Sequence, residues 1–235
     1  MSLSSKHVVL IGAGAIGSTI SELLVRGGVN KLTIVDGDQL AVGNLVRHTL
    51  TMPQIGKPKA TALANRLNAC SPHAVTTAIN TNFPPASAPA RRLLAACDLV
   101  LNCTADDAVL HYIEEFPWEG TKLFVTVSVG YRAHRLYVFA HSGDSFSRET
   151  YYDLVGPWLL KERSETEGVE MPWEGTGCWQ PVFPAGAEDI WLMSSIATKY
   201  LETLVDRPLG DPSLVVFEQV IVGDAFWGMQ QVTLT

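Results

Sequence analysis

Between an apolar run at His7–Ile11 and a helix-like run at Ala15–Arg26 the chain reads GAGAIG, residues 12–17. This strand, glycine turn and helix narrow the fold more than anything else in the sequence. Glycines let backbone approach backbone and a bound anion closely, while the N–H groups and positive dipole end of a helix start face that anion. The pattern therefore marks a phosphate site in a βαβ unit, with Gly12, Gly14 and Gly17 as its candidate residues. Asp36 follows about twenty residues after the last glycine and ends a second strand-like run, Lys31–Val35, where a carboxylate accepts ribose hydroxyls. Taken alone, these features would serve any dinucleotide enzyme.

Three further segments narrow the chemistry: VDGD at 35–38, NLVRH at 44–48 and GKPKA at 56–60. They place Asn44, Arg47 and Lys59 in the loop after the second strand and at the start of the next helix, so that strong donors converge near the phosphate mouth. Hydride transfer has no use for them. Displacement at phosphorus does, because charge builds on the phosphoryl oxygens and on the leaving pyrophosphate, and fixed cations stabilise that charge. The cluster favours ATP as a reactant over NAD as a carrier, which leaves an NAD-dependent oxidoreductase as the disfavoured alternative.

The glycine loop, the DxD strand end, NLxRH and GxxKA together resemble the adenylation domain of the ThiF/MoeB/HesA family, the ubiquitin-activating-enzyme-like fold. DLVLNCTADD at 98–107 is similar to that family's fourth strand and magnesium-binding aspartate. GCWQPVFP at 177–184 resembles the cysteine-bearing crossover segment of some bacterial members fused to ubiquitin-conjugating-like domains. The resemblance implies that Gly12, Gly14 and Gly17 hold phosphates and that Asp36 holds the ribose, with Asp38, the second acid of the DxD pair, also binding the nucleotide. It implies phosphate contacts from Asn44, Arg47 and Lys59, and a magnesium ion on an aspartate after Cys103 and Thr104. In many members that aspartate directly follows the threonine; here Ala105 intervenes, Asp106 and Asp107 stand side by side, and Asp106 is the favoured ligand. His48 stands where glutamine is more usual.

The function this resemblance implies is ATP- and Mg2+-dependent adenylation of the C-terminal carboxylate of a small ubiquitin-like or sulfur-carrier protein. Arg47 and Lys59 are its catalytic candidates, expected to serve the chemical step more than folding. Cys178, on a long loop after Gly177, is the candidate acceptor of the acyl group as a thioester, whereas Cys70, Cys97 and Cys103 read as small buried hydrophobes. Members commonly supply an arginine from an N-terminal helix, often across a dimer interface, so a homodimer is expected, as is a fused or separate ubiquitin-conjugating-like partner. A nucleotide-holding scaffold that does not turn over remains the reading from a different class.

The 235 residues suit one α/β domain, 1–235, with a sizeable core. Charged residues make up 17% against the roughly 25% of ordinary soluble domains, which leaves apolar surface for a partner. A net charge of −7 argues against general nucleic-acid binding. No apolar run is long enough to cross a bilayer and the N-terminus lacks a signal-peptide core, so a cytoplasmic protein is expected, with no membrane partner. Four scattered cysteines without a CxxC pair give no support for structural zinc.

The expected fold is a Rossmann-like α/β sheet, parallel in its N-terminal part with an antiparallel C-terminal extension and helices on both faces. After Lys31–Val35 the pattern predicts a helix at 58–69, a strand at Val75–Ile79, a short helix ending at Ala96 and a strand at 98–102. A hairpin of 123–129 with 135–140, a crossover loop at 142–186 without clear periodicity, a helix at 187–205 and strands at 214–221 and 229–234 complete it.

Overall fold

The computed structural model describes residues 3–166, 185–206 and 210–234. Strand β1 (His7–Ile11) is buried along its whole length, which is why residues 8–11 are apolar in a row instead of alternating. Val8 and Leu10 face one helical layer while Val9 and Ile11 face the other. Around it form β2 (Lys31–Val35), β3 (Val75–Ile79), β4 (Leu99–Asn102), β5 (Lys122–Val129), β6 (Arg135–Gly143), β7 (Ser213–Val222) and β8 (Ala225–Val232). They make one eight-stranded sheet in the order β3-β2-β1-β4-β5-β6-β7-β8. Pairing is parallel from β3 through β5 and antiparallel from β5 through β8. This is the sheet read from the sequence, with its antiparallel extension.

Helices α1 (Ala15–Arg26) and α2 (Lys59–Cys70) cover one face. The other carries α3 (Ala88–Ala95), α4 (Asp107–Glu115) and α5 (Arg148–Glu165). Helix α6 (Ala187–Asp206) returns to the α1 face and buries Ile190, Met193, Ala197, Leu201 and Leu204, an apolar stripe at helical spacing, over Val125, Val127, Leu136 and Val138 of the sheet. Helix α1 is enclosed by the sheet and by both neighbours. Its buried hydroxyls turn inward on their own helix, Ser18 and Thr19 donating to the Ala15 carbonyl at 3.1 and 2.9 Å and Ser21 to that of Ser18 at 2.9 Å.

Two elements differ from the sequence reading. Helix α5 lies inside the stretch expected to be a connection without periodicity, because it buries only Tyr151, Val155 and Trp158 and is held largely by polar cross-links. Ser147 caps it, accepting the Thr150 N–H at 3.2 Å; Arg148 pairs with Glu114 at 2.7 Å, and Arg135 of β6 binds Glu165 near its end. Strand β8 begins at Ala225, earlier than 229, and its first residues leave Phe226 and Trp227 exposed at the sheet edge.

Candidate functional site

The carboxyl ends of β1, β2 and β4 lie side by side, with Ile11 opposite Val35 and Asn102, where strand connections depart in opposite directions. A cavity of about 570 Å³ opens there, lined by Gly12, Gly14, Asp36, Asp38, Lys59 and Asp106 among others. The site residues Gly17, Asn44 and Arg47 do not line it, and Cys178 lies outside the described residues.

The glycines act in three distinct ways. Gly12 has φ +93°, a left-handed conformation, and a β-carbon on it would meet Thr104 Cγ2 at 2.8 Å. Gly17 lets α1 pack on the turn, since a β-carbon there would sit 2.0 Å from the Gly12 carbonyl oxygen. Around Gly14 there is open space, and no side chain caps α1, so the N–H groups of its first turn are presented to the cavity.

Asp36 ties β2 to this turn. Its Oδ2 accepts the Ala13 N–H at 2.7 Å and its Oδ1 accepts the Asp38 N–H at 2.8 Å. Burial raises its pKa above the usual carboxylate value, against the opposing pull of those two N–H groups and of Lys59. Lys59 opens α2 and is 4% exposed; its Nζ meets Asp38 Oδ2 at 2.9 Å, so a buried cation is held at the cavity wall by a carboxylate that is itself largely in solvent.

Asn44 and Arg47 are placed by the turn at Val42–Val46. The Asn44 side chain accepts the Ala41 N–H at 2.9 Å, and its carbonyl accepts the N–H groups of Arg47 and His48 at 3.1 and 3.0 Å. Arg47 is buried and donates from Nη1 to the Ala185 carbonyl at 3.3 Å, just ahead of α6. His48 reaches the glycine turn from behind: its Nε2 lies 2.7 Å from the Ala13 carbonyl, and its Nδ1 accepts the Leu50 N–H at 3.0 Å. Burial lowers its pKa to about 4, so the ring is neutral at pH 7.

On the far wall, Asp106 is the N-cap of α4 and accepts the Ala108 N–H on Oδ1 at 2.8 Å. Asp107 does not line the cavity, and Tyr152 donates to its Oδ1 at 2.9 Å. Asn82, Phe83 and Tyr112 are among the cavity residues that escaped the sequence reading. Asn82 and Phe83 follow the carboxyl end of β3, and Tyr112 follows Asp106 and Val109 along α4. Their position just beyond strand ends, or at helical spacing from Asp106, was the available signal.

Among the described residues no group of three or more His, Cys, Asp or Glu side chains has the arrangement of a protein-only metal cage. Mg2+ binds one or two carboxylates and completes its octahedron with phosphate oxygens and water, and the carboxylates of Asp36, Asp38 and Asp106 line the cavity. Acidic side chains meet an anion-type helix start in this one cavity, and that donor set fits a metal–nucleotide complex better than either component alone.

The chain is similar to known proteins. The chain is 39% identical over 206 residues to the ATP-dependent ubiquitin transferase-like protein Cap2 of Enterobacter hormaechei, covering 88% of this chain and 34% of Cap2. It is 35% identical over 108 residues to the molybdopterin-synthase adenylyltransferase of Escherichia coli, covering 46% of this chain and 43% of that enzyme. The chain thus spans about a third to less than half of these relatives. Among solved structures, E. coli MccB with ATP superposes with a TM-score of 0.62 at 13% identity over 98% of this chain and 64% of MccB, a likeness of fold. The description of the ThiF family matches residues 1–170. That match covers more than half of the sequence, and the chain belongs to the ThiF family.

Proposed function

We propose that this chain binds ATP with Mg2+ and adenylates the C-terminal carboxylate of a small ubiquitin-like or sulfur-carrier protein. The observation that carries the reading is a cavity in which an uncapped helix start, Asp36, buried Lys59 and Asp106 converge, in a ThiF-family chain with named adenylyltransferases among its relatives. The carrier's carboxylate oxygen attacks the α-phosphorus in line; the bond from that phosphorus to the bridging oxygen breaks, and pyrophosphate leaves with the electron pair. Products are an acyl adenylate and pyrophosphate.

Within this reading the first-turn N–H groups of α1 hold phosphate oxygens and Asp36 holds the ribose. Lys59 exchanges part of its attraction to Asp38 for the phosphates, and Arg47 adds positive charge. Asp106 holds Mg2+, which when bound neutralises phosphate charge. Cys178 then receives the acyl group: its thiolate attacks the adenylate carbonyl, a thioester forms and AMP leaves. The chain acts in the cytoplasm as a homodimer, alongside a fused or separate ubiquitin-conjugating-like domain.

Carrier-dependent exchange of labelled pyrophosphate into ATP tests the chemistry. Exchange is expected only when ATP, Mg2+ and carrier are all present. ATP binding without exchange would favour the scaffold, and tighter binding of NAD than of ATP would sink the adenylation reading altogether.

A further inference from the structure

The turn between Gly12 and Gly14 is gripped through Ala13 from two sides. The Ala13 N–H donates to Asp36 Oδ2 at 2.7 Å, and the Ala13 carbonyl lies 2.7 Å from His48 Nε2. The tautomer of His48 follows from its other nitrogen. Nδ1 accepts the Leu50 N–H at 3.0 Å, so the ring proton resides on Nε2 and is donated to Ala13. Both ring nitrogens of this 9%-exposed side chain are therefore used, one holding the glycine turn and one holding the chain just beyond His48 itself.

The Ala13 carbonyl and the Gly14 N–H belong to one planar trans peptide, in which the C=O and N–H bonds point in opposite directions. A donor that draws the oxygen into the protein turns that N–H outward. Gly14 lines the cavity, a β-carbon on it would meet nothing within 4 Å, and it opens α1 without a side-chain cap. We propose that His48 is a positioning residue for the nucleotide: through the Ala13 peptide it aims the Gly14 N–H at the phosphate of the bound ligand. This rests on the reading of the cavity as an ATP site, and adds a residue that touches neither the ligand nor the cavity wall.

A positioning role of this kind acts on the phosphates and leaves the base and sugar alone. Titration calorimetry with Mg2+·ATP and with adenosine separates the two. His48→Ala is expected to weaken ATP binding on the order of tenfold, the worth of one well-placed hydrogen bond, while adenosine binds as before. His48→Gln, a neutral side chain that carries an N–H donor, should bring ATP affinity back to within about threefold of the parent.

Nitrogen NMR of the parent adds a measurement that survives a variant failing to fold. It should show a neutral ring protonated on Nε2 and bare on Nδ1 at pH 7, with the Gly14 amide among the signals moved most by ATP. Equal losses for ATP and adenosine in His48→Ala, unchanged ATP binding, failure of the glutamine variant to restore it, or the opposite tautomer each overturn the positioning role. A parent that binds no ATP overturns the nucleotide reading itself, a result distinct from ATP binding that ignores His48.

Discussion

Lowering the pH from 8 to 5 should cost this fold about 4 kcal/mol through two histidines alone. His7 and His48 are buried and both are held at about 4 in the folded chain against 6.5 as the ordinary value. Burial is the main cause for each; Lys31 and Lys122 add to it at His7, and Lys59 and Arg66 at His48. Between those two values the unfolded chain binds a proton at each ring that the folded chain refuses, so stability is lost as pH falls through the window from 6.5 toward 4. At pH 5 linkage gives about 2 kcal/mol for each ring, a large share of the roughly 5–15 kcal/mol a domain has.

Two carboxylates act in the same region, in opposite directions. Burial would raise Glu22, but hydrogen bonds from Arg66 and Arg26 outweigh it and hold its pKa low, so its stabilisation disappears only below about 4.5. Asp36 is raised by burial and favours the fold in acid, its contribution lost as pH climbs through its folded value. Urea unfolding at pH 5, 6, 7 and 8 on the parent and on His48→Gln measures the histidine part. The variant should lose about 2 kcal/mol less than the parent over that range. Equal losses would show that His48 is not held neutral by its surroundings.

Other perturbations separate packing from ligand chemistry. Gly17→Ala should destabilise the chain by roughly 2–3 kcal/mol, because its β-carbon falls 2.0 Å from the Gly12 carbonyl oxygen and backbone must move; an unchanged melting temperature would refute that close approach. Asp106→Asn keeps an acceptor for the Ala108 N–H and so should leave the melting temperature within a degree or two, while the gain in ATP affinity on adding Mg2+ disappears; an intact Mg2+ effect would point to another carboxylate. Arg47→Ala should lower both stability, by roughly 1–3 kcal/mol, and carrier-dependent exchange, by on the order of a hundredfold. A protein that melts earlier yet exchanges normally would confine Arg47 to its structural bond with Ala185.

The elements nearest the cavity were the most legible in the sequence. Strands β1, β2 and β3 and helix α1 fall where the sequence puts them because each carries apolar residues at strand or helix spacing and is closed by glycine, aspartate or a polar turn, and such boundaries are written locally. Asp36, Lys59 and Asp106, named through the family resemblance, stand just past strand ends or at helix starts and all three line the cavity. Helix α5 was not legible, since its narrow stripe of Tyr151, Val155 and Trp158 carries little period and Pro157 interrupts it. What fixes its end is distant: Tyr137 donates to Glu162 at 2.9 Å, and Arg135 joins Glu165 to Glu218 of β7. The bond from Arg47 to Ala185 spans the chain in the same way, so nothing local to NLVRH announces it.

Ala105, between Thr104 and Asp106, shows how a local irregularity can be absorbed by hydrogen bonds around it. Ala105 has φ 51°, in the left-handed region that costs an ordinary L-residue about 1–2 kcal/mol. Around it runs a short relay in which Asn102 Oδ1 accepts from Thr104 Oγ1 at 2.8 Å and from the Thr104 N–H at 3.2 Å, while Thr104 Oγ1 accepts the Asp106 N–H at 3.3 Å. The relay ties both sides of Ala105 to the end of β4, and the chain passes through one left-handed residue before α4 begins. Asp106 then caps the helix at the cavity wall and Asp107, one step on, is directed to Tyr152. Glycine in place of Ala105 removes the β-carbon that strains this turn. Ala105→Gly relieves the left-handed strain but adds unfolded-chain freedom of up to about 1 kcal/mol, so a net change near zero to about +1 kcal/mol in stability is the outcome consistent with a turn imposed by its neighbours.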